Sequence, residues 1–285
     1  MSKPLTEQLL AAGHQVTVIG RNEKNLLPLT EKGATAAIGS VDDIEFLRKT
    51  FAGADAVYTM IPPQYAIGSG LDAYQKLAGL YADAIRAANV KYVVNLSSVG
   101  ADLPSGVGPV SGLHLVEKEF DKLEGVNVLN LRAGFFYVNF FGNIGMIKGA
   151  NIIGGNYGDA NAKMILVHPK DIAAAAAEAL QDLNFTGHSV RYVVSDERTT
   201  GEVAKVLGTA IGKPDLPWIN FSDEDANAGL KQAGVPEGMA DKYTEMGRAM
   251  RTGIMWKHYL ANRPKQLGKT KLEDFAGEFN AVYSA

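Results

Sequence analysis

Short apolar runs alternate with helical patterns along most of this 285-residue chain, and that alternation leaves few folds open. Val16-Thr17-Val18-Ile19-Gly20, Ala34 to Ile38, Ala56 to Ile61, Tyr92 to Leu96, Val126 to Leu131 and Val190 to Val194 read as strands. Between them, helical spacing covers Ile44 to Phe51, Asp72 to Ala88, Leu115 to Leu123 and Pro169 to Asp182. Near-continuous apolar strands are buried on both faces, and strands separated by helices pair in parallel. The expectation is an α/β fold, a doubly wound parallel sheet. Ligands then belong at the carboxyl ends of the strands, near the point where strand order reverses.

Met1 to Arg21 carries the same pattern to the start of the sequence. Pro4 sits just inside a helix start, Leu5 and Leu9 share a face, and Gly13 suits the position after a helix end. A helix that feeds a parallel strand normally crosses over from an earlier strand, so a strand is expected ahead of Met1. Composition narrows the function. With no cysteine there is no disulfide, thiolate nucleophile or Cys-based metal site, and the simplest location is the cytoplasm. His14, His114, His168, His188 and His258 show no metal-site spacing, so no metal is expected. A net charge of −3 gives no case for nucleic acid or an anionic membrane, and the apolar stretches are too short to span a bilayer. No serine occupies a Gly-x-Ser-x-Gly elbow.

Several residues fall at strand ends where ligand contacts belong. Arg21-Asn22 follows the first strand, where this class of fold reads the adenosine ribose of a dinucleotide; a guanidinium there holds a 2′-phosphate, which favours NADP over NAD. The bland alternative is a polar strand end. Ser40 or Asp42 caps the next helix or borders an adenine ring. Ile61-Pro62-Pro63 makes either a stiff apolar wall or a plain turn. Asn95 to Gly100 places Ser97 and Ser98 at the end of a central strand, for ligand contact or a local turn. His114 and Lys118 share a helix face; neutral His114 beside charged Lys118 would be a usable proton donor, against a solvated face with Glu117 and Glu119.

These pieces together resemble the NmrA-like group of atypical short-chain dehydrogenases/reductases. The resemblance is carried by Lys3 to His14, Val16 to Arg21, Asn95 to Gly100, Leu131-Arg132-Ala133-Gly134-Phe135-Phe136, Val167 to Ala173, Thr200 to Ala204 and Gly212-Lys213-Pro214. It implies a Rossmann-like NADP- or NAD-binding fold with a smaller C-terminal substrate lobe. Its members include quinone reductases, reductases of other aromatic substrates, and redox-sensing regulators that bind the dinucleotide without turnover. The expected function is therefore an NADPH-dependent oxidoreductase passing hydride to a small quinone or aromatic acceptor, with a non-catalytic NAD(P)-sensing regulator that acts through a protein partner as the alternative. The superfamily's Tyr-x-x-x-Lys becomes His114-x-x-x-Lys118, so Lys118 matches the lysine that contacts the nicotinamide ribose and His114 stands in for the tyrosine. Ser97 joins Lys118 on the ribose side. Relative to the family, Ser2 aligns with the third glycine of a Gly-x-x-Gly-x-x-Gly loop, leaving roughly a dozen residues to be supplied by a preceding or separate segment.

The resemblance divides the chain into a dinucleotide-binding domain over 1–140, completed by 164–195, and a substrate lobe over 141–163 and 196–285. Phe135 to Phe141 is dense in rings and either packs the core or walls a pocket for a flat substrate. Met239, Tyr243, Met246 and Met250, ending near Trp256, form a stripe that is core or a cap over that pocket. Asp171 opens an alanine-rich helix and is assigned a structural role. The basic run from Lys242 to Lys271 is a solvated face or a partner surface. A small-molecule acceptor is the expected partner, and a homodimer is left open.

Overall fold

The computed structural model describes residues 1–61 and 70–285. The chain opens with α1 (Ser2–Ala11), β1 (Thr17–Gly20), α2 (Glu23–Thr30), β2 (Thr35–Ile38), α3 (Ile44–Phe51) and β3 (Ala56–Thr59). It continues with α4 (Asp72–Ala87), β4 (Tyr92–Ser98), α5 (Val110–Phe120) and β5 (Asn127–Ala133). The short β6 (Phe135–Phe136), a 3-10 helix over Tyr137–Asn143, α6 (Ile144–Ala150) and β7 (Ile153–Gly155) lead to β8 (Lys163–Val167), α7 (Pro169–Asp182) and β9 (His188–Val193). The remainder is β10 (Asp196–Thr199), α8 (Thr200–Ala210), β11 (Trp218–Asn220), α9 (Asp223–Gln232), α10 (Glu237–Arg251), α11 (Lys257–Ala261) and α12 (Leu272–Ser284). Gly13, at φ +86°, makes the left-handed turn that ends α1.

Strands β3, β4, β5 and β9 form a parallel sheet in that order. Successive side chains point to opposite faces, and both faces are covered. Val57, Val93 and Val128 pack under α3, α4 and α5 through Leu47, Phe51, Leu77, Ile85 and Phe120. Val94, Leu96, Leu129 and Leu131 pack against Leu5 of α1 and the alanine face of α7. Each fully buried Leu, Ile or Phe in these layers contributes roughly 1.5–3 kcal/mol. The doubly wound parallel architecture is thus the one expected.

The single sheet is not. β1 pairs in parallel with β2 as a separate two-stranded piece, and among the described residues no strand hydrogen-bonds to the free edges of β1 and β3. Helices hold the two pieces together: Ile19 of β1 packs on the α3 and α4 layer, while Leu10 of α1 packs on Val18 and Leu5 packs under β4.

The remaining strands form β10-β8-β6, with β10 antiparallel to β8, and the parallel pair β11-β7. The core against them reaches the segment between β4 and α5, where Val99, Ala101, Val107 and Val110 join Met250, Met255 and Trp256 in one cluster. Gly108, at φ +61°, lets the chain entering α5 touch the Lys242 carbonyl of α10, where a Cβ would collide with that oxygen. The methionine stripe of α10 is therefore core at its ends: Met239 and Met250 are buried, with Met246 packed partly against the lobe.

The start of α7 is a second polar knot. Asp171 accepts from Ser195 Oγ at 2.6 Å, Thr270 N at 3.1 Å and Thr270 Oγ1 at 2.9 Å, which fits its structural assignment. His168, 2% exposed, caps the helix: Nδ1 accepts from Lys170 N at 3.0 Å, so Nε2 carries the proton and lies 3.4 Å from Glu278 Oε2. Burial lowers the His168 pKa, with Lys170 adding to that and Glu278 opposing it. An unfolded chain titrates its histidines near 6.5, so below about that pH the unfolded state binds a proton that folded His168 refuses. Stability is then fully present above pH 6.5 and falls as pH drops toward the lowered folded value. Urea midpoints at pH 7.5 and 5.5 should differ more for the parent than for His168→Asn, which keeps an acceptor at the cap. Equal differences in the two proteins would remove His168 from the acid response.

Candidate functional site

The carboxyl ends of the parallel strands gather most of the residues singled out above. Arg21 follows β1, is exposed, and makes no hydrogen bond or ion pair among the described residues. Asn22 is committed to structure, its side chain accepting from Lys24 N at 3.0 Å as the cap of α2. Ser40, after β2, turns inward on its own loop: Oγ lies 3.3 Å from both Asp42 Oδ2 and Asp42 N. The α3 cap falls to Asp43, not to Ser40 or Asp42, because Asp43 Oδ1 alone reaches two free amides, Glu45 N at 3.0 Å and Phe46 N at 3.1 Å. Ile61 is 6% exposed and belongs to the core layer under α3 and α4. Pro62 and Pro63, expected beside it as a wall, lie outside the described residues.

Two in-register polar rows cross the sheet on its α5 side. Thr59, Asn95 and Asn130 are neighbours on β3, β4 and β5; Thr59 Oγ1 donates to Asn95 Oδ1 at 3.0 Å and Asn95 Nδ2 donates to Asn130 Oδ1 at 2.8 Å. One step nearer the strand ends, Ser97, Arg132 and Tyr192 are neighbours on β4, β5 and β9. Glu117 of α5 binds this second row from above. It accepts from Ser97 Oγ at 2.5 Å, Arg132 Nε at 3.0 Å and Arg132 Nη2 at 2.6 Å.

Glu117 and Arg132 are each 6% exposed. Burial works against the charge on Arg132, yet the hydrogen bonds and charge of Glu117 outweigh it and hold the guanidinium above its ordinary pKa. Arg132 Nη1 also lies 3.5 Å from the Tyr192 hydroxyl, which sits 2.5 Å from His258 Nδ1. Burial raises the pKa of Tyr192, with Arg132 pulling the other way.

Glu117 was grouped with the solvated face of its helix, and the structure reverses that. Helical spacing alone leaves it beside buried Val116, at the edge of the apolar stripe. The signal that could have found it is Arg132 itself, a charge at the end of the apolar run Val128 to Leu131 that must find a partner when buried. Ser97 is 2% exposed and turned down onto Glu117, so the half-buried Ser98 is the hydroxyl nearer the strand ends.

His114 and Lys118 are on α5, but their side chains part. His114 is half-buried with Nδ1 2.8 Å from the Ala101 carbonyl oxygen. A carbonyl can only accept, so Nδ1 carries the proton and Nε2 is the free nitrogen of the neutral ring. Lys118 is exposed, with Nζ 3.0 Å from Asp121 Oδ2.

The ring-rich run divides between core and surface. Tyr137 and Phe140 are buried, whereas Phe135 of β6 is half-buried, its ring 5.6 Å from those of Phe140 and Tyr157. Tyr157 stands 6.1 Å from Trp218, and Phe135, Tyr157 and Trp218 are partly buried against the core. The basic run is largely spent inside the chain: Lys242 pairs with Glu245, Arg248 and Arg251 with Asp223, and Arg263 with Glu197.

Among the described residues no His, Asp and Glu side chains gather to hold a metal, and no helix is long and apolar enough to cross a membrane. Residues 1–119 match the family described as NAD(P)H-binding. The solved structures similar to the chain share its fold.

Relatives extend the likeness along the chain. Quinone oxidoreductase 2 of Escherichia coli (strain K12) is 24% identical over 228 residues, 80% of this chain and 76% of its own length. The solved NADPH-dependent quinone oxidoreductase of Escherichia coli complexed with NADPH shares the fold at a TM-score of 0.77, with 22% identity over 97% of this chain and 95% of that one. The Citrobacter triphenylmethane reductase complexed with NADP(H) does so at 0.76, with 21% identity over 98% and 95%. A mutant form of NmrA superposes at 0.69, with 14% identity over 98% and 87%. The fold implied by the resemblance to NmrA-like, atypical short-chain dehydrogenases/reductases is the one the chain shares with these structures.

The matched segment ends within α5 and so spans Arg21, Ser40, Ile61, Ser97, His114 and Lys118. Arg132, Tyr192 and His258 reach it from later in the chain. Arg21, at the end of β1, is an exposed guanidinium without a partner among the described residues.

Proposed function

We propose that this protein is an NADPH-dependent oxidoreductase that passes hydride to a small quinone or related flat aromatic acceptor. The observation that carries the reading is Arg21, unpartnered among the described residues at the carboxyl end of β1 in the segment that matches the NAD(P)H-binding family, which supports NADP over NAD. The names of the relatives support the acceptor class, as do the partly buried rings of Phe135, Tyr157 and Trp218. Residues 1–140 with 164–195 form the cofactor half in this reading, and 141–163 with 196–285 cover the acceptor. The chain acts in the cytoplasm, in keeping with its lack of cysteine.

The dinucleotide supplies the hydride, so the protein has to orient two flat molecules and provide one proton. Arg21 holds the 2′-phosphate. Lys118 reaches the ribose side by leaving Asp121, an exposed pair that costs at most about 1 kcal/mol to break. His114 gives the proton from Nε2 to the oxygen that gains negative charge as hydride arrives, and recovers it from water. Because Nδ1 stays on Ala101, the ring donates from Nε2 only when both nitrogens are protonated.

Absorbance of the reduced nicotinamide, followed with a panel of quinones and aromatic dyes, tests the reading. NADPH consumption should depend on the acceptor, and Lys118→Ala should lower kcat/KM about tenfold or more. Binding of NADPH with flat absorbance across the panel would sink the reductase reading and favour a dinucleotide sensor. Unchanged kinetics in Lys118→Ala would remove that residue from the site.

A further inference from the structure

We propose that Arg132 is a positioning residue that fixes the orientation of the His114 imidazole. The ring is held by two parts of the chain, the helix α5 that carries it and the loop after β4 whose Ala101 carbonyl takes its Nδ1 proton at 2.8 Å. Arg132 touches both. Its Nε and Nη2 grip Glu117, three residues beyond His114 on α5, at 3.0 and 2.6 Å. Its Nη1 lies 3.8 Å from Oδ1 of Asp102, the residue directly after Ala101.

Asp102 Oδ1 is buried with no hydrogen bond of its own, so the guanidinium charge is what compensates that oxygen. One planar cation on the rigid strand β5 thereby ties helix to loop, and its in-register neighbours Ser97 and Tyr192 hold it in place. A planar fork with five donors faces two carboxylates in fixed directions, whereas an ammonium on a flexible stem fixes neither. The consequence is chemical as well as structural. If loop and helix shift apart, Nδ1 loses its acceptor, the neutral ring is no longer confined to one tautomer, and Nε2 is no longer presented as the exchanging nitrogen.

The effect on turnover rests on the reductase reading given above; the effect on the ring does not. The test is a long-range proton–nitrogen NMR correlation of the uniformly 15N-labelled full chain. The His114 signals are assigned by their loss in His114→Asn. The parent should show His114 with its proton on Nδ1. Arg132→Lys and Asp102→Asn should each move it to an averaged or Nε2-protonated pattern. Asp102 is partly exposed, so Asp102→Asn decides the question if Arg132→Lys does not fold.

With a quinone acceptor, kcat should fall about 10- to 100-fold in Arg132→Lys while KM for NADPH stays within about twofold. Parent-like His114 signals in the folded variants would overturn the proposal, as would a loss confined to KM. A ring that responds in a protein showing no acceptor-dependent turnover would leave the positioning role standing and remove only the reductase reading.

Discussion

Replacing Glu117 by alanine is expected to lower stability by about 3–5 kcal/mol, because it strands the buried Arg132 charge. Three donors now converge on that carboxylate: Ser97 Oγ and the Nε and Nη2 of Arg132. Without it, the guanidinium keeps its proton but loses its hydrogen-bonded counter-charge in a site only 6% exposed, with Asp102 Oδ1 left at 3.8 Å. Water cannot reach it without opening the seam between α5 and β5. The double change Glu117→Leu with Arg132→Met should recover most of the loss, since a well-packed apolar pair of similar volume often matches a buried ion pair. Urea denaturation of the three proteins settles the matter. A loss under about 1 kcal/mol in Glu117→Ala would mean that solvent already screens the pair.

Arg21→Ala is expected to raise Kd for NADPH roughly 10- to 100-fold, the worth of one or two charge-assisted hydrogen bonds, while Kd for NADH moves about twofold or less. The side chain is exposed and unpartnered among the described residues, so its removal disturbs no internal contact. Fluorescence titration with both cofactors reads the ratio directly. A parallel loss for NADH would place Arg21 against a group that both cofactors carry. No change for either would leave it as a polar strand end.

The buried rows also show why the second of these predictions could be framed from the sequence and the first could not. Arg21 is recognised by its position alone, directly after an apolar strand that alternates with helices. Glu117 sits on a helix among Lys118 and Glu119, where local pattern assigns it to solvent. Only the approach of Arg132 from β5 and Ser97 from β4 brings it inside.

Local sequence determined what local physics controls. Apolar runs set the strands β2 to β5 and β9, apolar spacing set α3, α4 and α7 within a residue or two, and Gly13 set the turn between α1 and β1. The family likeness was legible for the same reason, since its motifs lie on those elements. What needed the tertiary structure was every pairing between residues far apart in the chain. The separation of β1-β2 from the main sheet, the polar rows across it, the parting of His114 from Lys118 and the reach of α10 to Gly108 all belong there. Hydrogen bonds and ion pairs of that kind depend on which surfaces meet, and residue spacing along one helix or strand carries no record of the neighbour it will face.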